Sequence, residues 1–393
     1  MSGGVDSSVA AMLMKKNGYE VVGAFMKNWS NTKNQLSGEC QWREDRRMAM
    51  KIAAKIGIPL ITFDFERQYR KEVISKMFRL YKKGITPNPD IDCNQKIKFP
   101  LLWKEAKKLG ADFIVTGHYA RIKKIKASKN SKKNVNDKNK FHGTSLHINF
   151  NINERASETG ECCQYELFRA KDETKDQSYF LYTLNQNDLS HSLFPVGNYT
   201  KKQVRKIAEK NGFENFNRKG TVGICFVGKI NLKKFLQKKI KPKQGKILNP
   251  EGKQIGVHDG IYYYTIGQRI GSRFGIEIEK KDENGGMKRW YVARKIKKTN
   301  TIIAAPENHP LNFRKEMIIS KPHWINEMQK KNNKVLSRIR QVGELLPSTL
   351  KYDNNKKKHK LILKKKITGV SEGQAVVLYS GKKVLGGGVI GFE

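Results

Sequence analysis

Acidic residues are scarce in this 393-residue chain: Asp and Glu total 36 against 78 Lys and Arg, a net charge of +42. A small-molecule enzyme gains nothing from such a surplus, which points instead to a polyanionic partner, nucleic acid above all. Part of the excess reads as a bias toward Lys and Asn along the whole chain. Long apolar runs are absent too. No stretch approaches the roughly 18 residues of a membrane span and none reads as a signal peptide, so a soluble, cytoplasmic protein without a membrane partner is expected. Cysteine is sparse. The five present (Cys40, Cys93, Cys162, Cys163, Cys225) include no C-x-x-C pair, which argues against a disulfide framework and a structural zinc. No metal-ligand set is read from the sequence.

What is present begins at once. Ser2-Gly3-Gly4-Val5-Asp6-Ser7-Ser8 combines two glycines, three hydroxyls and a following apolar-periodic run (Val9, Ala10, Met12, Leu13). The glycines permit a sharp turn with exposed N–H groups, and the run predicts a helix whose positive end stands behind that turn. Such a loop suits an anion, pyrophosphate best. It lacks the lysine of the Walker pattern G-x-x-x-x-G-K-[ST]. A plain glycine turn with an Asp-Ser helix cap is the alternative reading of the same residues.

Beyond the loop, the pattern predicts a strand over Tyr19–Met26, a helix over Arg43–Ile56 and a short buried strand at Pro59–Phe63. Helices over Glu66–Tyr81 and Lys96–Leu109 follow, then a strand at Asp112–Thr116 ending in Gly117-His118. This alternation implies an α/β fold, a doubly wound parallel sheet with ligands at the carboxyl ends of its strands. A phosphate loop of this kind normally follows a buried strand, yet only Met1 precedes Ser2. A true start roughly 5–15 residues upstream is therefore expected. Residues 123–163 read as a Lys/Asn/Ser-rich surface insertion, with Cys162 and Cys163 incidental. Order resumes at Leu167–Ala170, and Thr200–Asn211 reads as an amphipathic helix. From about residue 229, Gly and β-formers take over, with strands expected at Ile261–Gly267, Trp290–Ala293, Thr301–Ala305 and along the tail. The expected division is a catalytic domain at 1–228, a small β-rich domain at 229–304 and a barrel-like domain at 305–393.

Two cysteines stand out. Cys93 follows Asn88-Pro89-Asp90 in a proline-stiffened loop. A helix expected just after it would lower the thiol pKa, and Asp90 is near enough to exchange protons. Cys225 sits between glycines at Gly223 and Gly228, which allow close approach by another group. Alone, Cys93 is equally readable as a half-buried structural cysteine, and Cys225 reads better as a small buried hydrophobe in a β turn. Together with a pyrophosphate-binding loop they suit sulfur transfer: a persulfide on one attacks an activated carbonyl, and the other thiol then breaks the sulfur–sulfur bond.

The first loop resembles the SGGxDS signature of the PP-loop ATP pyrophosphatases. The ordered set SGGVDSSVAA, FMKNW, TPNPDIDCN, ADFIVTGHYAR, KDQSYFLYTL, LFPVG, GICFVG, YTIGQR, WYV, GQAVVLYSG and LGGGVI resembles the tRNA-specific 2-thiouridylases over nearly the whole chain. That resemblance implies replacement of O2 of the wobble uridine, U34, by sulfur, with ATP, Mg²⁺ accompanying it, tRNA, and a persulfide-donating carrier or desulfurase. A monomer is expected. It implies that Ser2–Ser8 (Ser2, Gly3, Gly4, Val5, Asp6, Ser7, Ser8), Met26 and Gly117 form the ATP site. Cys93 is implied as nucleophile, Cys225 as persulfide carrier and Asp90 as acid/base. Asn88, Pro89 and Asp90 would face the target base, and His118, Lys175, Asp176, Gln177, Arg338 and Gln374 would contact tRNA. Arg338-Ile339-Arg340 departs from the family's Arg-Tyr-Arg. Two rivals remain: a PP-loop amidating ligase, which needs neither cysteine, and a non-catalytic RNA-binding protein with a degenerate nucleotide fold.

Overall fold

The computed structural model describes residues 1–30, 40–126, 163–218, 220, 225, 231–272, 275–278, 289–328, 332–341 and 343–392. Most of the expected insertion, with Cys162, and the glycines at 223 and 228 lie outside the described residues. Helix α1 (Val5–Lys16) starts directly at the loop, where Gly3 takes φ +73° and Gly4 is an extended N-cap. Its buried side, Val5, Val9 and Met12, packs with Ile52, Val204 and Ala208.

Strand β1 (Gly23–Lys27) is followed by α2 (Gln41–Ile56) and β2 (Leu60–Asp64), and β1 and β2 pair in parallel. β2 is half-exposed rather than buried as expected: among the described residues it pairs with β1 alone and lies at an edge. Next come α3 (Glu66–Tyr69), a π turn (Arg70–Ile74) and α4 (Ser75–Lys82), which run on as one helix. Then α5 (Pro89–Cys93), a second π turn (Asn94–Lys98) and α6 (Phe99–Lys108) form another. This helix begins at Pro89, not at Lys96 as expected. Asn88 caps it by accepting from the Ile91 N–H at 3.3 Å, and Pro89 takes the first position, where its missing N–H costs nothing. Pro100 inside the run cannot donate to the preceding turn, and the π turn before it loosens the backbone where that donor is missing.

Strand β3 (Ile114–Val115) pairs in parallel with β6 (Ser192–Leu193). Among the described residues no strand joins this pair to β1–β2. Between them in sequence, β4 (Ala120–Lys126) and β5 (Cys163–Arg169) form an antiparallel ladder, so both ends of the expected surface insertion are strand. Helices α7 (Gln186–Ser190) and α8 (Lys201–Lys210) complete this region, α8 by a Thr200–Gln203 capping box.

The central region holds α9 (Leu232–Gln237) and strands β7 (Gly245–Leu248), β8 (Gln254–His258), β9 (Arg269–Ile270), β10 (Trp290–Ile296) and β11 (Thr301–Pro306), in the order β8-β7-β11-β10-β9. The strand expected at Ile261–Gly267 is instead a tight turn with Ile261–Tyr263 in a 3₁₀ helix. Its tyrosines spend their hydroxyls on other segments: Tyr262 donates to the Lys241 carbonyl at 2.7 Å, Tyr263 to that of Ile240, and Tyr264 to Asp259 at 2.7 Å. These tertiary bonds outweigh the β propensity of the run.

Strands β12 (Phe313–Trp324), β13 (Asn333–Arg338), β14 (Leu346–Asp353), β15 (Lys358–Thr368), β16 (Ala375–Ser380) and β17 (Lys383–Gly391) follow in the order β12-β15-β14-β13-β16-β17. Pairing of β12 with β17 closes them into a barrel. Its core includes Met317, Val335, Leu350, Leu361, Val376 and Ile390. The sheet runs on through Lys383 opposite Phe168, so the β4–β5 ladder docks on the barrel wall. Among the described residues no helix is long and apolar enough to cross a membrane.

Candidate active site

The first turn of α1 has no side-chain cap, which leaves its N–H groups for a ligand. The loop around it is braced from within and from behind. Ser2 N–H donates to Ser7 Oγ at 3.1 Å, and the Ser7 and Ser8 hydroxyls each donate to the Gly4 carbonyl at 3.0 Å. Asn215 and Arg218 donate to the Gly3 carbonyl at 3.0 and 3.1 Å. Asp6 accepts from Lys201 at 2.6 Å and from the Tyr119 hydroxyl at 2.7 Å. Gly117, at the carboxyl end of β3, lies directly against the loop. A Cβ there would fall 2.6 Å from the Asp6 carbonyl carbon and the Ser7 nitrogen. Bare backbone is therefore required at that contact. A helix end with unused donors, a glycine turn and no intruding side chain fits a pyrophosphate. Met26 is buried in β1, on the neighbouring strand pair.

The two cysteines, 132 residues apart in sequence, meet. Cys93 Sγ donates to Cys225 Sγ at 3.8 Å. Cys93 is buried within a continuous helix, not placed just before a helix start as expected. Its thiol pKa is accordingly pushed well up, by burial first, rather than lowered. Cys225 is the member held below the usual thiol range, because Cys93 donates to its sulfur; Lys98 also favours its thiolate. Asp90 accepts from the Cys225 N–H at 2.8 Å, and burial raises its carboxyl pKa. Tyr69 donates to the Cys225 carbonyl at 2.5 Å. The pKa values of the two thiols are thus pushed apart, with an acid of raised pKa beside them. That arrangement can deliver a nucleophilic sulfur and a proton to one place.

His118 is buried and neutral: burial lowers its pKa well below the ordinary value, Lys98 adding to this. Its Nδ1 lies 2.8 Å from Thr116 Oγ1 and its Nε2 3.3 Å from Lys98 Nζ. With Lys98 as donor, Nε2 accepts and the ring proton belongs on Nδ1.

The loop expected to face the base is a meeting point of all three regions. Thr86 and Thr265 hydroxyls are 3.1 Å apart. A Cβ at Gly373, which adopts φ +90°, would fall 2.1 Å from Ile85 Cγ2 and 2.9 Å from the Thr86 carbonyl oxygen. Tyr179 donates to the carbonyls of Ile339 and Ala375 at 3.2 and 3.0 Å.

Three expected tRNA contacts, His118, Asp176 and Arg338, lie elsewhere than on a surface. The Asp176 and Arg338 side chains are 0 % and 5 % exposed. Asp176 accepts from Arg338 at 2.9 Å, from Arg169 at 3.0 Å and from the Ala170 and Ser178 N–H groups at 3.2 and 3.1 Å. Burial forces these charges onto one another, so they tie β5 to the barrel. Gln177 is likewise engaged, exchanging bonds with Tyr119 at 2.9 and 2.8 Å. Lys175 is exposed, and Gln374 is half-buried with Oε1 unpartnered. Among the described residues no group of three or more His, Cys, Asp or Glu side chains could hold a metal ion.

Lys98, Tyr69, Lys201 and Tyr119 were not foreseeable as site residues from local pattern. The available signals were weak: a lysine shortly after Cys93 in the same segment, and a tyrosine directly after Gly117-His118.

A nucleotide-loop α/β region, a thiol pair and two basic β regions define an enzyme of the sulfur-transferring PP-loop class. Models described as "tRNA methyl transferase HUP domain", "tRNA methyl transferase PRC-barrel domain" and "aminomethyltransferase beta-barrel domain" match residues 1–149 with 151–229, 233–306 and 314–390. Similar proteins named tRNA-specific 2-thiouridylase MnmA occur in Ruthia magnifica (38% identical over 100% of this chain and 96% of the relative) and Flavobacterium johnsoniae (35%, 99% and 98%). One named tRNA-specific 2-thiouridylase MnmA 2 occurs in Aliarcobacter butzleri (38%, 100% and 97%). The chain belongs to the tRNA-specific 2-thiouridylase family.

Proposed function

We propose that this chain thiolates tRNA, replacing O2 of the wobble uridine U34 with sulfur in an ATP-dependent reaction. The observation that carries the reading is the 3.8 Å approach of Cys93 and Cys225, a pairing that an amidating ligase has no use for. Residues 2–8 would hold the phosphates, with Met26 and Gly117 flanking the adenosine. ATP, when bound, supplies AMP as the leaving group on the uracil oxygen. Mg²⁺ would accompany the phosphates.

The terminal sulfur of a persulfide on Cys225 attacks C2, AMP departs, and a C2–S–S–Cys225 bridge forms. Cys93 sulfur then attacks Cys225 sulfur. The bridge breaks, sulfur stays on the base, and a Cys93–Cys225 disulfide remains for a thiol reductant to open. Asp90, with its raised pKa, holds or returns the proton these steps exchange. A wobble base splayed from a single-stranded loop suits a buried pocket, with Lys and Arg phosphate contacts providing most of the affinity. Residues 1–228 would carry the chemistry, 229–304 would buttress the base-facing loop, and 305–393 would dock the tRNA. Asn88, Pro89 and Asp90 would face the base, with Lys175 and Gln374 placed for tRNA. The enzyme would act as a cytoplasmic monomer fed by a persulfide carrier or desulfurase. The deciding measurement is mass spectrometry of the wobble nucleoside after incubation with ATP, a persulfide donor and tRNA. Formation of 2-thiouridine supports the reading. AMP and pyrophosphate without sulfur incorporation overturn it.

A further inference from the structure

We propose that Tyr69 is a positioning residue for the sulfur-carrying thiol: its hydroxyl, donating to the Cys225 carbonyl, keeps Cys225 within reach of Cys93. The inference deepens the thiolation reading and rests on it for its biological meaning. Cys225 belongs to no described helix or strand, so its placement depends on contacts from elsewhere. Two are in place. Asp90 accepts from its N–H at 2.8 Å, and Tyr69 donates to its carbonyl at 2.5 Å. The residue is thus gripped at both poles of its backbone, by side chains from the two helices that each contain a π turn. The turns begin at Arg70, just after Tyr69, and at Asn94, just after Cys93.

The two grips differ in chemistry. Asp90 is a titratable acceptor, and protonation of its carboxyl weakens its hold. Tyr69 is fully buried and burial pushes its hydroxyl pKa far up, so it remains a donor at every working pH. Its ring is fixed independently by Trp29, edge-on at 6.4 Å and 62°. Removing the hydroxyl would leave the ring's packing in place while releasing one pole of Cys225.

The test is closure of the Cys93–Cys225 bond in the whole protein with oxidised glutathione. Two thiols and one glutathione disulfide give the internal disulfide and two reduced glutathiones, so the balance is complete without tRNA or ATP. Tyr69→Phe should slow closure about tenfold, the loss of one well-made hydrogen bond. Single-turnover sulfur transfer should fall by a similar factor, with pyrophosphate release unchanged. Trp29→Phe, which disturbs the ring's packing and leaves the hydroxyl, should close within about twofold of wild type. Closure in Tyr69→Phe as fast as wild type, or equal slowing in Trp29→Phe, overturns the inference. A wild-type protein that closes normally yet never thiolates tRNA would overturn the thiolation reading and leave the role of Tyr69 in placing Cys225 intact.

Discussion

Arg338, on the last residue of a barrel strand, donates to Asp176 in the catalytic region at 2.9 Å, with both side chains almost wholly out of solvent. The pair spans 162 residues of sequence and shares its carboxylate with Arg169. It joins two regions that recognise different parts of one large substrate in the proposed function.

Arg338→Ala should therefore act on stability before it acts on binding. Removing one partner of a buried ion pair costs about 3 kcal/mol, toward the low end of the usual range because Arg169 still holds the carboxylate. Urea denaturation measures it. A cost of about 0.5 kcal/mol or less, typical of surface positions, would contradict the buried assignment.

Asp6 links the phosphate loop to Lys201 and Tyr119. Asp6→Ala should free that lysine and loosen the loop, reducing tRNA-dependent pyrophosphate release about a hundredfold, as expected for a lost preorganised charge. The melting temperature should change little. Full turnover by the variant would remove Asp6 from the nucleotide site.

The thiols should separate by function. Cys225→Ser should still release pyrophosphate but accept no persulfide. Cys93→Ser should accept one and stall with the base bridged to Cys225, detectable as a covalent protein–tRNA adduct by mass spectrometry. In Cys93→Ala, Cys225 loses the donor that holds its pKa down, so its alkylation by iodoacetamide should need a higher pH than in wild type. An unmoved pH profile would show that Cys93 does not hold the Cys225 pKa down.

His118 gives a linkage prediction with a definite sign. Its pKa is lowered in the folded state, so below the unfolded value of about 6.5 the unfolded chain binds the extra proton. Stability should fall as the pH drops below that value, by up to about 1.4 kcal/mol per unit from this one group. His118→Gln should flatten the dependence between pH 7.5 and 5.5, read from denaturation midpoints. An unchanged slope would mean that the imidazole is not held neutral.

The parts of this protein legible in sequence are those encoded over short distances. The glycine–serine loop, the α1 periodicity and the parallel pairs at Gly23–Lys27 and Ile114–Val115 all follow from local pattern. The partnership of Cys93 with Cys225 could be guessed only from chemistry, since 132 residues separate them. What stayed hidden depends on tertiary burial. Asp176 and Arg338 look like solvent-facing charges until the barrel closes over them. The three tyrosines at Tyr262–Tyr264 look like a strand until their hydroxyls find Lys241, Ile240 and Asp259. The start of α5 is encoded in Asn88-Pro89, a cap followed by a first-turn proline, whereas apolar periodicity alone places the boundary at Lys96.

The π turn at Asn94–Lys98 sets the phase of its helix. Such a turn, closed i→i+5, holds one residue more than an α turn, so it brings Lys98, five positions on, back toward the face that carries Cys93, where regular α winding would set it about 140° away. Tightening the π turn to α winding without removing a residue would swing Lys98 out of line with the thiol. The alignment of thiol and lysine thus rests on local winding, and a change that tightens it while leaving every side chain near the thiols chemically intact would still misalign them.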